Sequence, residues 1–273
     1  MEDLKITLVQ TQLHWENVEK NLSMFDEILN SIGQTDLIIL PEMFSTGFTM
    51  NTAVAEKMDG KSIVWLKEKA KEKNSVITGS LMITENARLP DGQKKNYNRL
   101  IWMQPDGNFE TYDKRHLFRM ANEQNHFTAG EKKLIATLKG WKICPLICYD
   151  LRFPIWSRNK SIVHSPQSIE FDYDVLIYVA NWPERRRLAW NTLLPARGVE
   201  NQSYVVGLNR IGPDGYNVDY SGDSVVYNPL GEKLSGIKPN ENRNETITLS
   251  WKFLQEYREK FPAAMDADNF EIK

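Results

Sequence analysis

Short apolar runs that alternate with helical patterns constrain the fold of this chain more than any other feature. Residues 36–44 (DLIILPEMF), 141–148 (WKICPLIC) and 173–181 (YDVLIYVAN) are too short for helices and too apolar for a half-exposed sheet. Such runs are typical of strands that are buried on both faces. The sequence therefore predicts buried strands within a layered domain, and the hairpins described below argue against a plain parallel one.

The remaining segments show which elements cover and extend this sheet. Further strands are predicted at 4–12, 75–84, 203–212 and 245–251, and hairpins at 98–114 and 224–235. Helices are predicted at 17–32, 62–74, 184–202 (with a kink or local break at Pro195) and 252–262. Residues 159–171 have the character of a polar turn, after a short helix near Pro154. Hairpins mixed with β-α units indicate a layered α/β or α+β fold.

No repeat, low-complexity stretch or flexible linker divides the chain. We therefore expect a single domain over residues 1–262. Residues 263–273 have little periodicity, and two interpretations stay open: a frayed tail, or an arm that packs on a partner subunit.

Charge and hydropathy narrow the classes of partner. The formal net charge of the 273 residues is -2, so electrostatics gives no reason to expect nucleic acid or an anionic membrane as a partner. No apolar window reaches the roughly 18 residues of a membrane-spanning helix, and no secretory signal is visible at the N-terminus. Cys144 and Cys148 lie too far apart along one predicted strand for a disulfide, which favours a reducing, cytoplasmic location.

Three predicted strands each end in a reactive side chain: Glu42, Lys114 and Cys148. Taken singly, the glutamate could be held by backbone N–H groups, the lysine could be solvated, and the cysteine could be a core residue. Taken together, they supply a thiol nucleophile, a base to remove its proton, and a positive charge for the developing oxyanion. The backbone N–H of Tyr149 is a natural second oxyanion donor.

The segments LPEMFSTGF, YDKRHLF and LICYDLRFPIWSRN, in this order and spacing, resemble the three signature segments of the nitrilase superfamily of carbon–nitrogen hydrolases. The resemblance covers nearly the whole chain. It implies a four-layer α-β-β-α sandwich, usually paired into homodimers. We expect no cofactor and no metal. The resemblance also places a second family glutamate at Glu123, which would hold Lys114 or the leaving group. The alternative for Glu123 is an exposed loop carboxylate.

Residues around the cysteine indicate a branch of this superfamily. The segments FPIWSRN and HLFRMANE resemble the bacterial ω-amidase branch, which implies 2-oxoglutaramate and 2-oxosuccinamate as small-molecule amide substrates. An amidase for deaminated glutathione is the alternative. The free carboxylate of such substrates needs a cation, and Arg152 is our first candidate, although it could instead tie a loop to a helix. Asn181 and Trp182 are expected to line the pocket, and residues 184–187 (ERRR) to form a solvated helix start.

Three other classes of protein fit the sequence less well than an amidase does. A Cys-His protease needs a histidine partner for Cys148, but His14, His116, His126 and His164 lie in irregular or polar segments without a family signature. A zinc enzyme needs ligands at helical or knuckle spacing, which the chain does not provide. A binding protein that has kept the sandwich but lost turnover is argued against by the intact Glu, Lys and Cys.

Overall fold

The computed structural model describes residues 1–88, 92, 94–165, 168–268 and 270–271. Within these residues the strands are β1 (Leu4–Gln10), β2 (Leu37–Ile39), β3 (Val76–Arg88), β4 (Lys94–Met103), β5 (Phe109–Asp113), β6 (Ala136–Leu138), β7 (Trp141–Ile147), β8 (Ser161–Ser165), β9 (Ser168–Phe171), β10 (Val175–Ala180), β11 (Tyr204–Asn209), β12 (Ile211–Pro213), β13 (Asp219–Ser221), β14 (Val225–Tyr227) and β15 (Arg243–Leu249). The α-helices are α1 (Val18–Ser31), α2 (Lys61–Lys73), α3 (Pro154–Ser157), α4 (Arg187–Asn201) and α5 (Trp251–Lys260).

Two mixed sheets form the centre of the molecule. The first has the order β15-β1-β2-β3-β4-β5 and the second the order β14-β11-β10-β7-β6. Strands β1, β2 and β3 are parallel, as are β7, β10 and β11, while the outer strands pair antiparallel. Helices α1 and α2 pack on the outer face of the first sheet, and α4 packs on the second. The predicted four-layer α-β-β-α arrangement is confirmed.

Alternation along the strands of the first sheet divides its side chains between two apolar clusters. In β2, Leu37 and Ile39 belong to the cluster between the sheets, whereas Ile38 faces α1 and α2. In β4, Leu100 is directed inward and Ile101 outward in the same way. Because successive side chains of a strand point to opposite faces, a strand covered on both sides must be apolar at every position. This explains the continuous apolar runs of the sequence.

Helix ends agree with simple capping chemistry. The side chain of Asn17 accepts a hydrogen bond from Lys20 N at the start of α1, and Ser250 caps α5 through Phe253 N. Asn74 ends α2 with a φ of 48°, a left-handed conformation that asparagine tolerates better than most residues. Helix boundaries were therefore predictable to within a few residues.

Several predicted segments differ from the structure. The 159–171 segment is not a turn: β8 and β9 form a separate two-stranded sheet, whose connecting residues 166–167 lie outside the described residues. Helix α4 runs through Pro195 without a break. Proline has no N–H to donate to the carbonyl of Asn191, but Asn191 is exposed, so water can hydrate that carbonyl. The 36–44 strand ends at Ile39, before Pro41.

Two further strand predictions were too long. Only β14 is regular in the predicted 224–235 hairpin, with a single bridge between Tyr227 and Lys233 on the return. The predicted 203–212 strand divides into β11 and β12, which belong to different sheets.

Strand β7 ends at Ile147, so Cys148 lies in the turn after the strand and not within it. Both cysteines are free thiols, as predicted.

Candidate active site

The ends of strands from both sheets meet at one edge of the sandwich. Glu42 lies just beyond β2, Lys114 directly follows β5, and Cys148 directly follows β7. Asn181 directly follows β10, the strand that pairs with β7 in parallel. Carboxyl ends of adjacent parallel strands lie together, which is why residues far apart in sequence converge here.

Glu42, Lys114 and Glu123 form a buried charge cluster. The Nζ atom of Lys114 lies 2.9 Å from Glu42 Oε1 and 3.0 Å from both carboxylate oxygens of Glu123. Asn98 Nδ2 donates to Glu42 Oε1 at 2.8 Å and to Glu123 Oε1 at 3.3 Å. None of the three charged side chains is more than 1% exposed. The solvated-lysine and exposed-carboxylate alternatives are therefore wrong.

Electrostatics keeps this lysine charged in spite of its burial. Desolvation lowers the pKa of Lys114, but the carboxylates of Glu123 and Glu42 outweigh that effect and raise it above the ordinary value. Burial and the neighbouring Glu42 carboxylate raise the pKa of Glu123, against the opposing charge of Lys114. Two carboxylates thus share one ammonium, which fixes the position of the lysine.

Cys148 has the backbone geometry of a nucleophile on a sharp turn. Its φ is 44°, in the left-handed region that non-glycine residues rarely adopt and that often marks functional positions. Its side chain is 8% exposed, and its Sγ lies 3.8 Å from the carbonyl oxygen of Asn181. Burial, followed by the Glu42 carboxylate, raises the pKa of Cys148 well above its ordinary value, and Lys114 only partly opposes this. The resting side chain is therefore a neutral thiol that needs a base.

Asn181 fixes the second oxygen of Glu42. Its backbone N donates to Glu42 Oε2 at 2.7 Å, and its Nδ2 donates to the Glu42 carbonyl oxygen at 2.6 Å. The Oδ1 atom of Asn181 is buried and has no protein partner among the described residues. Trp182, the next residue, is held by its backbone N to Asn209 Oδ1 and by its ring Nε1 to the carbonyl oxygen of Arg186.

A cavity of about 370 Å³ opens above these groups. Its volume is in the range of small-molecule sites. All the predicted site residues except Glu42 and Glu123 line it, namely Lys114, Cys148, Tyr149, Arg152, Asn181 and Trp182. Aromatic side chains also contribute to the wall, including Phe48, whose ring centroid is 5.0 Å from Lys114 Nζ. The guanidinium carbon of Arg152 lies 5.1 Å from the ring centroid of Trp182.

The prediction of a solvated helix start at residues 184–187 is confirmed for Arg185, which is exposed, but is wrong for Arg186, whose Nη1 atom is buried. Arg185 and Arg186 line the cavity, whereas Arg187 faces away and pairs with Asp223 at 2.7 Å. Strand β10 ends at this edge of the sandwich, and Arg185 follows Trp182 after only two residues. Proximity in sequence to Asn181 was therefore the signal that could have identified Arg185 and Arg186 as residues of the cavity wall. Asp214 and Tyr220, from the β12–β13 region, complete the wall; no motif marked them.

Histidine and metal chemistry find no support in this arrangement. His116 Nδ1 lies 2.7 Å from Asp150 Oδ1, and its ring stacks on Phe153. His126 lines the outer cavity, but no described histidine ring hydrogen-bonds to Cys148. In the part of the chain that the structure describes, no group of three or more histidine, cysteine or acidic side chains could hold a metal ion. Within the same residues, no helix is long and apolar enough to cross a membrane.

A comparison with known families gives the same answer as the geometry. The carbon-nitrogen hydrolase family model matches residues 5–258. The chain belongs to the carbon–nitrogen hydrolase family. This hydrolase is 44% identical to omega-amidase YafV of Yersinia enterocolitica, over 99% of both chains. It is also 32% identical to a 2-oxoglutaramate amidase of Bacillus subtilis, over 85% of this chain and 84% of that one.

Solved structures agree on the fold of the hydrolase. A CN-hydrolase superfamily protein from Xanthomonas campestris, solved with an arsenic adduct in its active site, superimposes with a TM-score of 0.92, at 41% identity and over all of both chains. The nitrilase superfamily member Nit3 of Saccharomyces cerevisiae matches with a TM-score of 0.77 and 22% identity, over 96% of this chain and 95% of that one. The resemblance to the nitrilase superfamily is thus confirmed, and the chain is a hydrolase of amide carbon–nitrogen bonds.

Proposed function

We propose that this hydrolase is an ω-amidase that cleaves the terminal amide of small oxo-dicarboxylic acid monoamides, such as 2-oxoglutaramate and 2-oxosuccinamate. The products are the dicarboxylate and ammonia. The observation that carries this proposal is a neutral thiol beside a buried Glu–Lys–Glu cluster, at the base of a cavity with arginines in its wall. The names of the 44% and 32% identical relatives support the choice of substrate.

In the first half of the reaction, Glu42 accepts the thiol proton of Cys148 as Sγ attacks the amide carbon. Negative charge develops on the amide oxygen, and we assign its stabilisation to Lys114 and the backbone N–H of Tyr149. The proton then moves from Glu42 to the amide nitrogen. The carbon–nitrogen bond breaks, ammonia leaves, and the acyl group stays on Cys148 as a thioester.

Water completes the reaction from the same position. Glu42 removes a proton from the attacking water, the tetrahedral intermediate collapses, and the proton returns to the Cys148 sulfur. A single carboxylate can serve both halves because its two oxygens have different fixed donors: Lys114 and Asn98 on Oε1, and the Asn181 backbone on Oε2. Glu123 is proposed to hold the ammonium of Lys114 in place, since it binds Nζ through both of its oxygens.

Arg152, Asn181 and Trp182 are proposed to bind the substrate. Arg152 lies four residues after the nucleophile and lines the cavity. Its guanidinium makes no hydrogen bond or ion pair to any described residue, so it is available to a carboxylate. The indole of Trp182 supports the face of that guanidinium. The unpartnered Oδ1 of Asn181 could be satisfied only by a donor, which the amide N–H₂ of the substrate provides.

Ammonia release from a panel of substrates tests the proposal. The panel contains 2-oxoglutaramate, 2-oxosuccinamate, deaminated glutathione, a neutral amide and a nitrile. We expect the highest kcat/KM for the oxo-dicarboxylate monoamides. A higher kcat/KM for deaminated glutathione would move the protein to the alternative amidase branch. No ammonia from any compound would indicate a binding protein.

We further propose a cytoplasmic homodimer with one hydrolase domain over residues 1–262. Exposed apolar side chains on α3 and α4 support an interface: Ile155 is 61% exposed and Leu188 is 81% exposed. Ala264, near the start of the 263–273 segment, contacts its own chain: its carbonyl oxygen accepts a hydrogen bond from Ser161 Oγ. Sedimentation analysis of the wild-type protein and of Leu188→Asp tests the dimer, since a charge at an apolar interface should favour the monomer.

A further inference from the structure

We propose that Arg186 sets the preference of this hydrolase for a 2-oxo acid over the corresponding 2-amino acid. This inference rests on the proposed ω-amidase function and adds a specificity-determining residue to it. Arg186 immediately precedes α4 and lines the cavity together with Cys148.

The guanidinium of Arg186 is not fully used by the protein. Its Nη1 atom is buried and has no hydrogen-bond partner among the described residues. Its Nη2 atom lies 3.2 Å from Met120 Sδ, a weak acceptor, and its Cζ lies 5.1 Å from the ring centroid of Phe118. A buried donor without a partner is costly, so a bound molecule that offers an oxygen there would be favoured.

The cavity wall has an excess of positive charge. None of the described carboxylates lies within ion-pair distance of Arg152, Arg185 or Arg186. Asp214 is the acidic residue of the wall, but its oxygens already accept from the backbone N of Tyr216 and Val218 and from the hydroxyl of Tyr220.

The neighbouring cations affect the pKa of Arg186 itself. Burial lowers its pKa, and the charges of Arg185 and Arg152 lower it further. The guanidinium stays protonated at any physiological pH. The wall thus repels additional positive charge and leaves few free acceptors for an ammonium group.

This arrangement separates two compounds that differ at a single carbon. The end of 2-oxoglutaramate that is remote from its amide presents only acceptors, namely two carboxylate oxygens and a ketone oxygen. The same end of L-glutamine carries an ammonium group in place of the ketone. With Arg152 assigned to the carboxylate, Nη1 of Arg186 is the free donor for the ketone oxygen. The same guanidinium repels an ammonium group at that position.

The experiment compares kcat/KM for 2-oxoglutaramate, L-glutamine and a neutral amide of equal length. Arg186→Met removes the charge and keeps most of the side-chain volume. Arg187→Met is the matched control, because Arg187 is the next residue and already pairs with Asp223 outside the cavity. We expect Arg186→Met to reduce the ratio of 2-oxoglutaramate to glutamine activity by about 100-fold or more, through loss of a charge-assisted hydrogen bond and of a repulsion. The control should change this ratio by less than about threefold.

Two measurements keep the test decisive. Binding of 2-oxoglutaramate to Cys148→Ala, with and without Arg186→Met, reports recognition without turnover and should weaken in the double variant. Arg186→Gln provides a second substitution if the methionine variant does not fold. Equal losses for 2-oxoglutaramate and glutamine would overturn the inference, because they would reduce Arg186 to a carboxylate contact or a structural residue. Unchanged kcat/KM for both substrates would leave the ratio unchanged and would overturn the inference too. If wild-type enzyme did not prefer 2-oxoglutaramate to the neutral amide, the proposed function itself would fail.

Discussion

The carboxylate of Asp150 binds His116 twice: Oδ1 accepts the backbone N at 3.0 Å and lies 2.7 Å from the ring Nδ1. Asp150 is two residues beyond the nucleophile, and His116 is two residues beyond Lys114. The other oxygen, Oδ2, accepts from Ile147 N at 3.1 Å and from the Tyr112 hydroxyl at 2.7 Å. One buried carboxylate thus joins the turn that carries the thiol to the loop that carries the lysine.

Asp150→Asn should lower both stability and activity. The substitution keeps the shape of the side chain but places an N–H₂ donor against groups that are themselves donors. Mismatched buried hydrogen bonds of this kind cost about 2–4 kcal/mol in the free energy of unfolding. The free energy of unfolding, measured by urea titration, and kcat should therefore both fall. Asp106→Asn, in the exposed β4–β5 turn, is the control. A stable Asp150→Asn enzyme with full kcat would show that the link has no role.

Much of this site followed from the sequence because its residues end apolar runs. Glu42, Lys114 and Cys148 were recognisable since a reactive group at the end of a buried strand must be paired or used. Glu123 lay in an irregular segment, and only the family pattern indicated it. The link made by Asp150 depends on four donor groups of Tyr112, His116 and Ile147, which meet only in the folded chain. Arg186 was missed because three consecutive arginines look solvated, and the direction of each is set by how α4 starts.

Glu42→Gln tests the general base. Glutamine keeps the shape of the side chain and one of its two acceptor oxygens, but it cannot accept the thiol proton. General-base catalysis contributes roughly 10²- to 10⁴-fold, so we expect kcat to fall by that factor. Steady-state ammonia release measures it. A variant that retains more than about a tenth of wild-type kcat would remove Glu42 from this role.

Cys148→Ala and Cys144→Ala form a matched pair. Both thiols are buried, but Cys144 lies within β7 and makes no contact with the charge cluster, and burial raises its pKa to about 12. Intact-mass spectrometry of rapidly quenched wild-type enzyme with a slow amide should detect an acyl adduct. Cys148→Ala should abolish both adduct and turnover, while Cys144→Ala should keep most activity. An adduct on Cys144 would contradict the proposed mechanism.

The ultraviolet absorbance of the thiolate gives a pH test. Because the folded pKa of Cys148 is raised, its thiol should stay protonated through the ordinary cysteine pKa of about 8.5. The difference spectrum between wild type and Cys148→Ala should therefore show no step below that pH. The raised pKa also makes stability depend on pH. Its contribution to the free energy of unfolding is complete below the unfolded-state pKa and is lost as pH rises through the folded-state pKa. A thiolate step near neutral pH would instead indicate that Cys148 rests as a thiolate paired with a neighbouring cation such as Lys114.

Arg152→Lys tests how the substrate carboxylate is bound. The guanidinium of Arg152 is planar, lies against Trp182 and can bind two carboxylate oxygens at once, whereas lysine offers a point charge on a flexible chain. Loss of this charge-assisted pair in a closed site should cost about 2–4 kcal/mol, or roughly 30- to 1,000-fold in kcat/KM for 2-oxoglutaramate. A neutral amide of equal length has no carboxylate, so wild type and variant should hydrolyse it equally poorly. If both substrates lost activity to the same extent, Arg152 would only hold the turn after Cys148. The carboxylate would then have to be bound by Arg185 or Arg186, the other arginines of the wall.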